Sequence, residues 1–233
     1  WQMGRQGPAK SLVGAQAAPG DTRKSLFDDE AYRAPYCLKT TELRNELDVS
    51  AAAVSDILRK SGAEFVGSSS RTGTAKSVHP GSLRKIFAER GFLFPLDERG
   101  EAVRIALQIT KGGAAKTTSA HAIGTRMSAF GAKVLLVDAD PQGNLTTVFN
   151  LEQYGVEIDE ETLILCDLFE APRGSDPVSI EDLIVKITPN LHLIPSTLQN
   201  SNLEAYLYRS GLNVATGMRR KFAKILNQYD YIV

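Results

Sequence analysis

The stretch Lys111-Gly-Gly-Ala-Ala-Lys-Thr-Thr118 decides the fold of this 233-residue chain. An apolar run over residues 102–109 comes before it and predicts a buried strand. The spacing of Ala, Ile and Met over residues 119–130 predicts a helix after it. A strand, a glycine-rich turn and a helix that begins at Lys-Thr are the layout of a phosphate-binding loop. The pattern therefore predicts an α/β fold with an anion site where the helix begins.

The residue types in this loop suit the phosphate chain of a nucleotide. Gly112 and Gly113 let backbone N–H groups turn inward around phosphate oxygens, and the helix N-terminus adds partial positive charge. Lys116 can reach the terminal phosphates, and the hydroxyl of Thr117 can ligate Mg²⁺. The loop departs from the pattern G-x-x-x-x-G-K-[ST], because Ala115 and not glycine precedes the lysine.

A second motif follows the next predicted strand. Residues 134–137 are four apolar residues, which is typical of a buried parallel strand, and Asp138 and Asp140 come directly after them. Ligands of open α/β sheets gather at the carboxyl ends of the strands, so these carboxylates are expected beside the phosphate loop. Taken singly, the glycines could form an ordinary corner and the aspartates could cap a turn. Together the two motifs favour a nucleotide site.

Both motifs resemble those of the ParA/MinD ATPases. K-G-G-A-A-K-T-T is similar to the deviant Walker A motif of that family, in which the position before the second lysine is not always glycine. D-A-D-P-Q resembles the D-x-D-P-Q signature that follows it in ParA proteins. The strand predicted over residues 191–195 is also similar to a strand of the family, with Ser196 in place of the usual alanine.

This resemblance implies the cofactors and the roles of the site residues. ATP/ADP and Mg²⁺ are the implied cofactors, bound in a homodimer in which Lys111 reaches the nucleotide of the partner subunit. The implied nucleotide-binding residues are Lys111, Gly112, Gly113, Ala114, Ala115, Lys116, Thr117 and Thr118. The implied catalytic residues are Lys111, Lys116 and Asp140, of which Asp140 positions the attacking water, and the implied metal residues are Thr117, Asp138 and Asp140.

Charge is spread unevenly, although the formal net charge is zero. Between Arg59 and Arg90 seven basic residues stand against Glu64 and Glu89, whereas from Glu101 onward twelve basic residues stand against fifteen acidic ones. A basic N-terminal part beside a slightly acidic body predicts a polyanionic partner for the former.

Residues 40–62 predict a helix-turn-helix. The first helix covers 41–47 with a cap at Thr40 or Thr41, and the second covers 51–60 with a cap at Ser50. Strand patterns over residues 63–66 and 75–78 flank a charged loop and predict a wing, before a further helix over 83–90. A three-helix structural bundle and a merely solvated loop are the alternatives. The candidate DNA contacts are Ser50, Ser55, Arg59, Lys60, Arg71 and Lys76.

A winged helix-turn-helix before the ATPase resembles the larger plasmid-type ParA proteins, in which it represses the partition operon. The resemblance implies operator and non-specific DNA and a ParB-type centromere-binding protein as partners. The chain then divides into an N-terminal tail with a dimerisation or plain packing helix, the DNA-binding domain, a linker and the first half of a doubly wound ATPase domain, at 1–37, 38–91, 92–103 and 104–233.

Further patterns complete the sequence-based expectations. Helices are predicted over 162–170, 179–187, 203–210 and 214–228, and a strand over 229–233. In the family, Y-D-Y-I-V runs into a carboxylate that would be residue 234, so we expect a C-terminally truncated ATPase without turnover. Cys37 and Cys166 have no metal spacing, and no apolar run approaches the roughly 18 residues of a membrane span. A cytoplasmic, nucleoid-associated bacterial protein is expected.

The predicted function is that of a DNA partition ATPase that binds ATP with Mg²⁺, dimerises, binds DNA and represses its own operon. The alternative is a DNA-binding regulator for which the nucleotide is only a conformational ligand. A MinD-like membrane ATPase is disfavoured by the N-terminal DNA-binding pattern.

Overall fold

Two sheets organise the part of the chain that the structure describes. The computed structural model describes residues 37–66, 77–91, 100–108, 115–154, 156–159, 162–169, 178–209 and 214–233. A three-stranded antiparallel sheet lies in the N-terminal module, which we define as residues 37–91. A five-stranded sheet lies in the parallel-sheet unit, which we define as residues 100–233. The predicted α/β fold with a mostly parallel sheet is confirmed.

The N-terminal module is a small helical unit with its own apolar core. Its elements are β1 (Leu38–Lys39), α1 (Thr40–Leu47), α2 (Ala51–Lys60), β2 (Phe65–Val66), β3 (Ser77–Val78) and α3 (Pro80–Glu89), with the strand order β1-β3-β2. Its fully buried side chains include Leu38, Leu43, Val78 and Leu83. A turn joins α1 to α2, as predicted, while the helix-turn-helix interpretation itself stays a prediction.

The caps of the two helices differ from each other. The Ser50 hydroxyl accepts a hydrogen bond from the N–H of Ala53 at 3.2 Å, which confirms the predicted cap of α2. The predicted threonine cap of α1 is wrong, because Lys39 occupies the cap position. The Glu42 carboxylate accepts from the N–H of Lys39 at 2.8 Å, so an acidic side chain in the first turn satisfies the helix start.

The parallel-sheet unit alternates strands and helices. Its strands are β4 (Val103–Arg104), β5 (Val134–Val137), β6 (Val185–Thr188), β7 (Leu191–Ile194) and β8 (Tyr231–Ile232). Its helices are α4 (Lys116–Ala129), α5 (Asn144–Val148), α6 (Leu203–Arg209) and α7 (Val214–Phe222). The strand order is β4-β8-β5-β7-β6, and all neighbours are parallel except β6, which runs antiparallel to β7.

The central strand β5 is covered on both faces, which explains its unbroken apolar run. Leu136 packs in one cluster with residues of α4 and α5, whereas Leu135 packs in a second cluster with Leu165 and Ile225. Helix α4 lies very close to β5, since a Cβ atom at Gly124 would lie 2.6 Å from Cδ2 of Leu136. The position of α4 on the sheet is therefore tightly determined.

Several predicted helices are shorter than expected or are absent. Residues 179–187 are a short 3-10 turn, Ile180–Leu183, followed by β6, because the apolar alternation of β6 is satisfied by pairing with β7. The helix predicted over 162–170 is a 3-10 turn at Leu165–Leu168. Within the residues that the structure describes, no helix has the length and apolar character needed to cross a membrane.

Candidate functional site

The candidate site lies at the carboxyl edge of the parallel sheet. Strands β4, β8 and β5 run in the same direction, so their carboxyl ends meet at one edge. Because α4 connects two of these parallel strands, it runs back across the sheet and begins at that same edge. The start of α4 and the Asp138–Asp140 turn therefore both belong to this edge, and their union in one nucleotide site stays a prediction.

The N-terminus of α4 has no side-chain cap. Ala115 occupies the cap position with φ 57° and ψ 23°, which is left-handed backbone, and its methyl side chain cannot accept a hydrogen bond from the first turn. This conformation costs an L-residue about 1–2 kcal/mol, whereas glycine adopts it freely. The backbone at position 115 thus explains why phosphate loops prefer glycine there. The uncapped N–H groups are a suitable place for an anion.

The side chains of the first helical turn are accessible. Lys116 and Thr117 are half-buried, and Thr118 is exposed. The remaining loop residues of the prediction, Lys111, Gly112, Gly113 and Ala114, lie outside the described residues.

Asp138 is buried and holds its own loop together. Only 4% of the Asp138 surface is exposed to solvent. Oδ2 accepts from the N–H and the hydroxyl of Thr146 at 2.9 and 2.8 Å, and Oδ1 accepts from the N–H of Asp140 at 3.2 Å. These three hydrogen bonds are all local, so Asp138 fixes the turn that carries Asp140. Its predicted metal role stays a prediction.

Asp140 is the more accessible of the two aspartates. It is half-buried, and its Oδ1 accepts from the N–H of Gln142 at 3.0 Å. Its backbone oxygen accepts from the Ser196 hydroxyl at 2.7 Å. The carboxylate is thus anchored through its main chain, which leaves the side chain available at the sheet edge.

A buried polar network behind Asp140 was missed by the sequence reasoning. The N–H of Ser196 donates to the Thr146 hydroxyl at 2.9 Å, and Nδ2 of Asn200 donates to the Ser196 hydroxyl at 2.8 Å. Oδ1 of Asn200 in turn accepts from the N–H of Cys166 at 3.2 Å. The available signal was Ser196 itself, a small polar residue directly after the apolar strand β7. This network ties the Asp140 turn to the end of β7.

Magnesium fits this edge only together with phosphate oxygens. Among the described residues, no group of three or more His, Cys, Asp or Glu side chains could hold a metal ion. Mg²⁺ commonly keeps several waters and binds through one or two carboxylates, a hydroxyl and substrate phosphates. Among the described residues at this edge, the half-buried Thr117 hydroxyl and Asp140 carboxylate are candidates for such ligands.

The predicted DNA contacts of α2 are already engaged within the helix. The Ser50 hydroxyl caps α2, and the Ser55 hydroxyl donates to the backbone oxygen of Ala51 at 3.0 Å. Arg59 and Lys60 lie 2.6 and 2.7 Å from the Asp56 carboxylate, although their side chains are 74% and 70% exposed. These hydrogen bonds, first from Lys60 and then from Arg59, lower the pKa of Asp56.

The sequence analysis missed the role of Asp56, because it counted charged residues only from Arg59 onward, which is about one helical turn after Asp56. The spacing of three and four residues to the two basic side chains could have revealed it. The other two predicted contacts, Arg71 and Lys76, lie outside the described residues.

Residues 102–233 match the sequence profile of a family described as an AAA domain. An uncharacterized protein of Mycobacterium tuberculosis is 33% identical over 140 residues, which are 60% of this chain and 41% of that protein. The sporulation initiation inhibitor protein Soj of Bacillus subtilis is 32% identical over 130 residues, 55% of this chain and 47% of Soj. The chromosome partitioning protein ParA of Caulobacter vibrioides is 34% identical over 103 residues, 44% of this chain and 35% of ParA.

The chain is similar to a solved structure of cobyrinic acid a,c-diamide synthase from Mycobacterium smegmatis, which contains a bound ATP analog and magnesium. The similarity covers 56% of this chain and 48% of the synthase chain. The identity is 27% and the TM-score is 0.46. The chain spans less than half the length of the three relatives named above.

Proposed function

We propose, since the chain belongs to the AAA domain family through residues 102–233, that it is a ParA-like DNA partition ATPase. The observation that carries this proposal is the uncapped start of α4 beside the Asp138–Asp140 turn, at the edge where parallel strands end. A triphosphate would meet the N–H groups of the first turn and the Lys116 ammonium there. The similarity to Soj and to ParA supports the same reading.

The proposed chemistry is transfer of the terminal phosphoryl group to water. Bound Mg²⁺ would neutralise charge on the phosphates, with Thr117 as its protein hydroxyl ligand. Lys116 would bind the terminal phosphates, and the half-buried Asp140 carboxylate would orient the water. Asp138 would act through Asp140, because its oxygens accept from Thr146 and from the Asp140 amide.

Nucleotide binding is tested first with a fluorescent ATP analogue and Mg²⁺. Lys116→Ala should weaken binding by roughly 10–100-fold, because a charge-assisted contact contributes about 1.5–3 kcal/mol. Lys224→Ala is the matched control, since Lys224 is an exposed lysine in the turn after α7. Equal affinities for the two variants would refute the assignment of the site.

The engagement of Asp138 in three local hydrogen bonds favours a second candidate function, a DNA-binding regulator that uses nucleotide without turnover. Phosphate release separates the two functions. For the ATPase, Asp140→Asn should abolish release while nucleotide binding persists. If the wild type releases no phosphate while ATP still alters its DNA affinity, the regulator is the correct function.

Dimerisation is proposed through Lys111, which would reach the nucleotide of the partner subunit. Lys111→Ala should spare ATP binding, because Lys116 and the backbone N–H groups are retained, yet abolish ATP-dependent association. Light scattering with a non-hydrolysable analogue measures this directly. A variant that still dimerises would restrict Lys111 to a role in the turn.

The N-terminal module is proposed to be a winged helix-turn-helix that binds operator and non-specific DNA and represses its own operon, with a ParB-type protein as a further partner. The exposed Arg59 and Lys60 on α2 support phosphate contacts. Replacing Arg71 and Lys76 by alanine should reduce the slope of log affinity against log salt by about one unit per lost contact. An unchanged slope would remove the predicted wing from the interface.

A further inference from the structure

Helix α3 of the N-terminal module is clamped onto the parallel-sheet unit by one arginine. Nη1 and Nη2 of Arg84 donate to Oδ2 and Oδ1 of Asp230 at 2.5 and 2.9 Å, in a two-pronged arrangement. Nη1 also donates to the backbone oxygen of Gly131 at 3.2 Å. The planar guanidinium fits a carboxylate in this way, whereas a lysine would supply only a point charge.

Asp230 connects three parts of the fold. Its residue is 6% exposed, and Oδ2 also accepts from the N–H of Lys133 at 2.7 Å. Its own N–H donates to the backbone oxygen of Lys133 at 2.8 Å. One carboxylate therefore holds α3, the turn after α4 and the start of β8. The hydrogen bonds to Asp230 raise the pKa of Arg84, so the guanidinium of Arg84 stays protonated.

The two surfaces also fit closely in shape. Gly131 has φ +93°, and a Cβ atom there would lie 2.4 Å from the backbone oxygen of Pro80. The rings of Phe87 and Phe130 meet edge to face with centroids 5.4 Å apart. The Arg126 guanidinium pairs with Glu46 of α1, which adds a second charged contact.

This junction lies at the opposite end of α4 from the candidate phosphate site. Helix α4 has 14 residues, which gives a length of about 21 Å, and it is packed tightly on β5 through Gly124. Close-packed elements have low compressibility and transmit strain, so a displacement of the first turn of α4 would also displace its last turn. Strand β8, which starts at the clamp, also ends at the site edge beside β5.

We propose that Arg84 is a positioning residue that couples the two modules. It seats the N-terminal module on the far end of α4 and on β8, so that nucleotide at the start of α4 changes DNA affinity. By linkage, DNA changes nucleotide affinity by the same factor. The proposal rests on the proposed function for its two ligands, while the clamp itself is testable without either.

The test compares the wild type with Arg84→Ala, Arg84→Lys and the control Lys85→Ala in the full chain. Lys85 is the exposed neighbour on α3, and its ammonium donates to the backbone oxygen of Ser61 at 3.4 Å, inside the N-terminal module. Amide hydrogen exchange is measured first without ligand. Peptides from the strands β5 and β7 report whether the core is folded in each variant.

In Arg84→Ala, exchange should rise about tenfold or more at residues 126–134 and 228–233, and also in the first turns of α4. Arg84→Lys should lie between Arg84→Ala and the wild type, and Lys85→Ala should match the wild type. A rise confined to the residues that touch Arg84 would overturn the coupling. Unchanged exchange would overturn the clamp as well.

A second measurement adds ATP with Mg²⁺ and a fluorescent duplex. In the wild type, DNA affinity should differ with and without nucleotide, and in Arg84→Ala this ratio should approach one while each ligand still binds. A ratio that Arg84→Ala leaves unchanged would overturn the proposal. If the wild type binds neither ATP nor the duplex, the proposed function fails, and the exchange data alone decide the coupling.

Discussion

Lowering the pH should weaken the fold through His192, and replacing this histidine should remove most of that effect. His192 lies on β7, half-buried, with Nδ1 2.7 Å from the Tyr229 hydroxyl and its ring edge-on to the Tyr229 ring. Burial, followed by the positive charges of Lys186 and Lys133, lowers the pKa of His192 to about 4 despite an opposing hydrogen bond to the backbone carbonyl of Pro189. The alternation of His192 with Leu191 and Leu193 predicts that its side chain lies off the core face, but the Tyr229 side chain packs against it there.

The sign and the size of the effect follow from linkage. The unfolded chain binds a proton at His192 below pH about 6.5, whereas the folded chain binds it only below about 4. Stability from this group is therefore fully present above pH 6.5 and is lost as the pH falls towards 4. The loss is on the order of 1 kcal/mol at pH 5.5 and roughly 2–3 kcal/mol at pH 4.5. Against a usual stability of roughly 5–15 kcal/mol, this is measurable.

Urea unfolding at pH 7.5, 5.5 and 4.5 is the assay, with His192→Gln as the test variant. Glutamine does not titrate but can still hydrogen-bond the Tyr229 hydroxyl, so the free energy of unfolding should fall less steeply with pH than in the wild type. Tyr229→Phe is the matched control, because it keeps His192 buried and should keep the wild-type slope. The reasoning would be refuted if the free energy of unfolding fell between pH 7.5 and pH 4.5 by the same amount, within about 0.5 kcal/mol, in His192→Gln and in the wild type.

Three further predictions concern the site and the DNA-binding module. Asp56→Asn should tighten duplex binding and steepen its salt dependence, because it releases the side chains of Arg59 and Lys60 from their ion pairs. Fluorescence anisotropy at several salt concentrations measures both effects, and unchanged binding would exclude α2 from the interface. Ala115→Gly should raise the free energy of unfolding by roughly 1 kcal/mol, since it relieves left-handed backbone, and urea unfolding checks it against Ala139→Gly, whose φ is not positive. Ser196→Ala should cost about 1–3 kcal/mol, because it removes the acceptor of the Asn200 amide and one of the two hydrogen bonds to the Asp140 backbone oxygen, which keeps the N–H of Gly143; Ser196→Thr, which keeps the hydroxyl, should cost less.

Part of the framework of the candidate site could be predicted from local patterns. The helix that begins at Lys116 and the four apolar residues of β5 with the aspartates after them are contiguous stretches whose residue types favour one backbone geometry. The Ser50 cap was predictable for the same reason, because it acts within a single helical turn. The mostly parallel sheet followed from the alternation of strand and helix patterns.

Other features depend on residues that are distant in the chain. The sequence around β6 predicts a helix, whereas in the structure it forms a strand because β7 lies beside it and supplies the hydrogen-bonding partner. Ser196 matters because Asp140, 56 positions earlier, lies against it. The clamp joins Arg84 to Asp230 across 146 positions. A periodic pattern reports only on the neighbours of a residue along its own helix or strand, whereas a buried carboxylate takes its partner from whatever surface the fold brings to it, and here that surface is the N-terminal module.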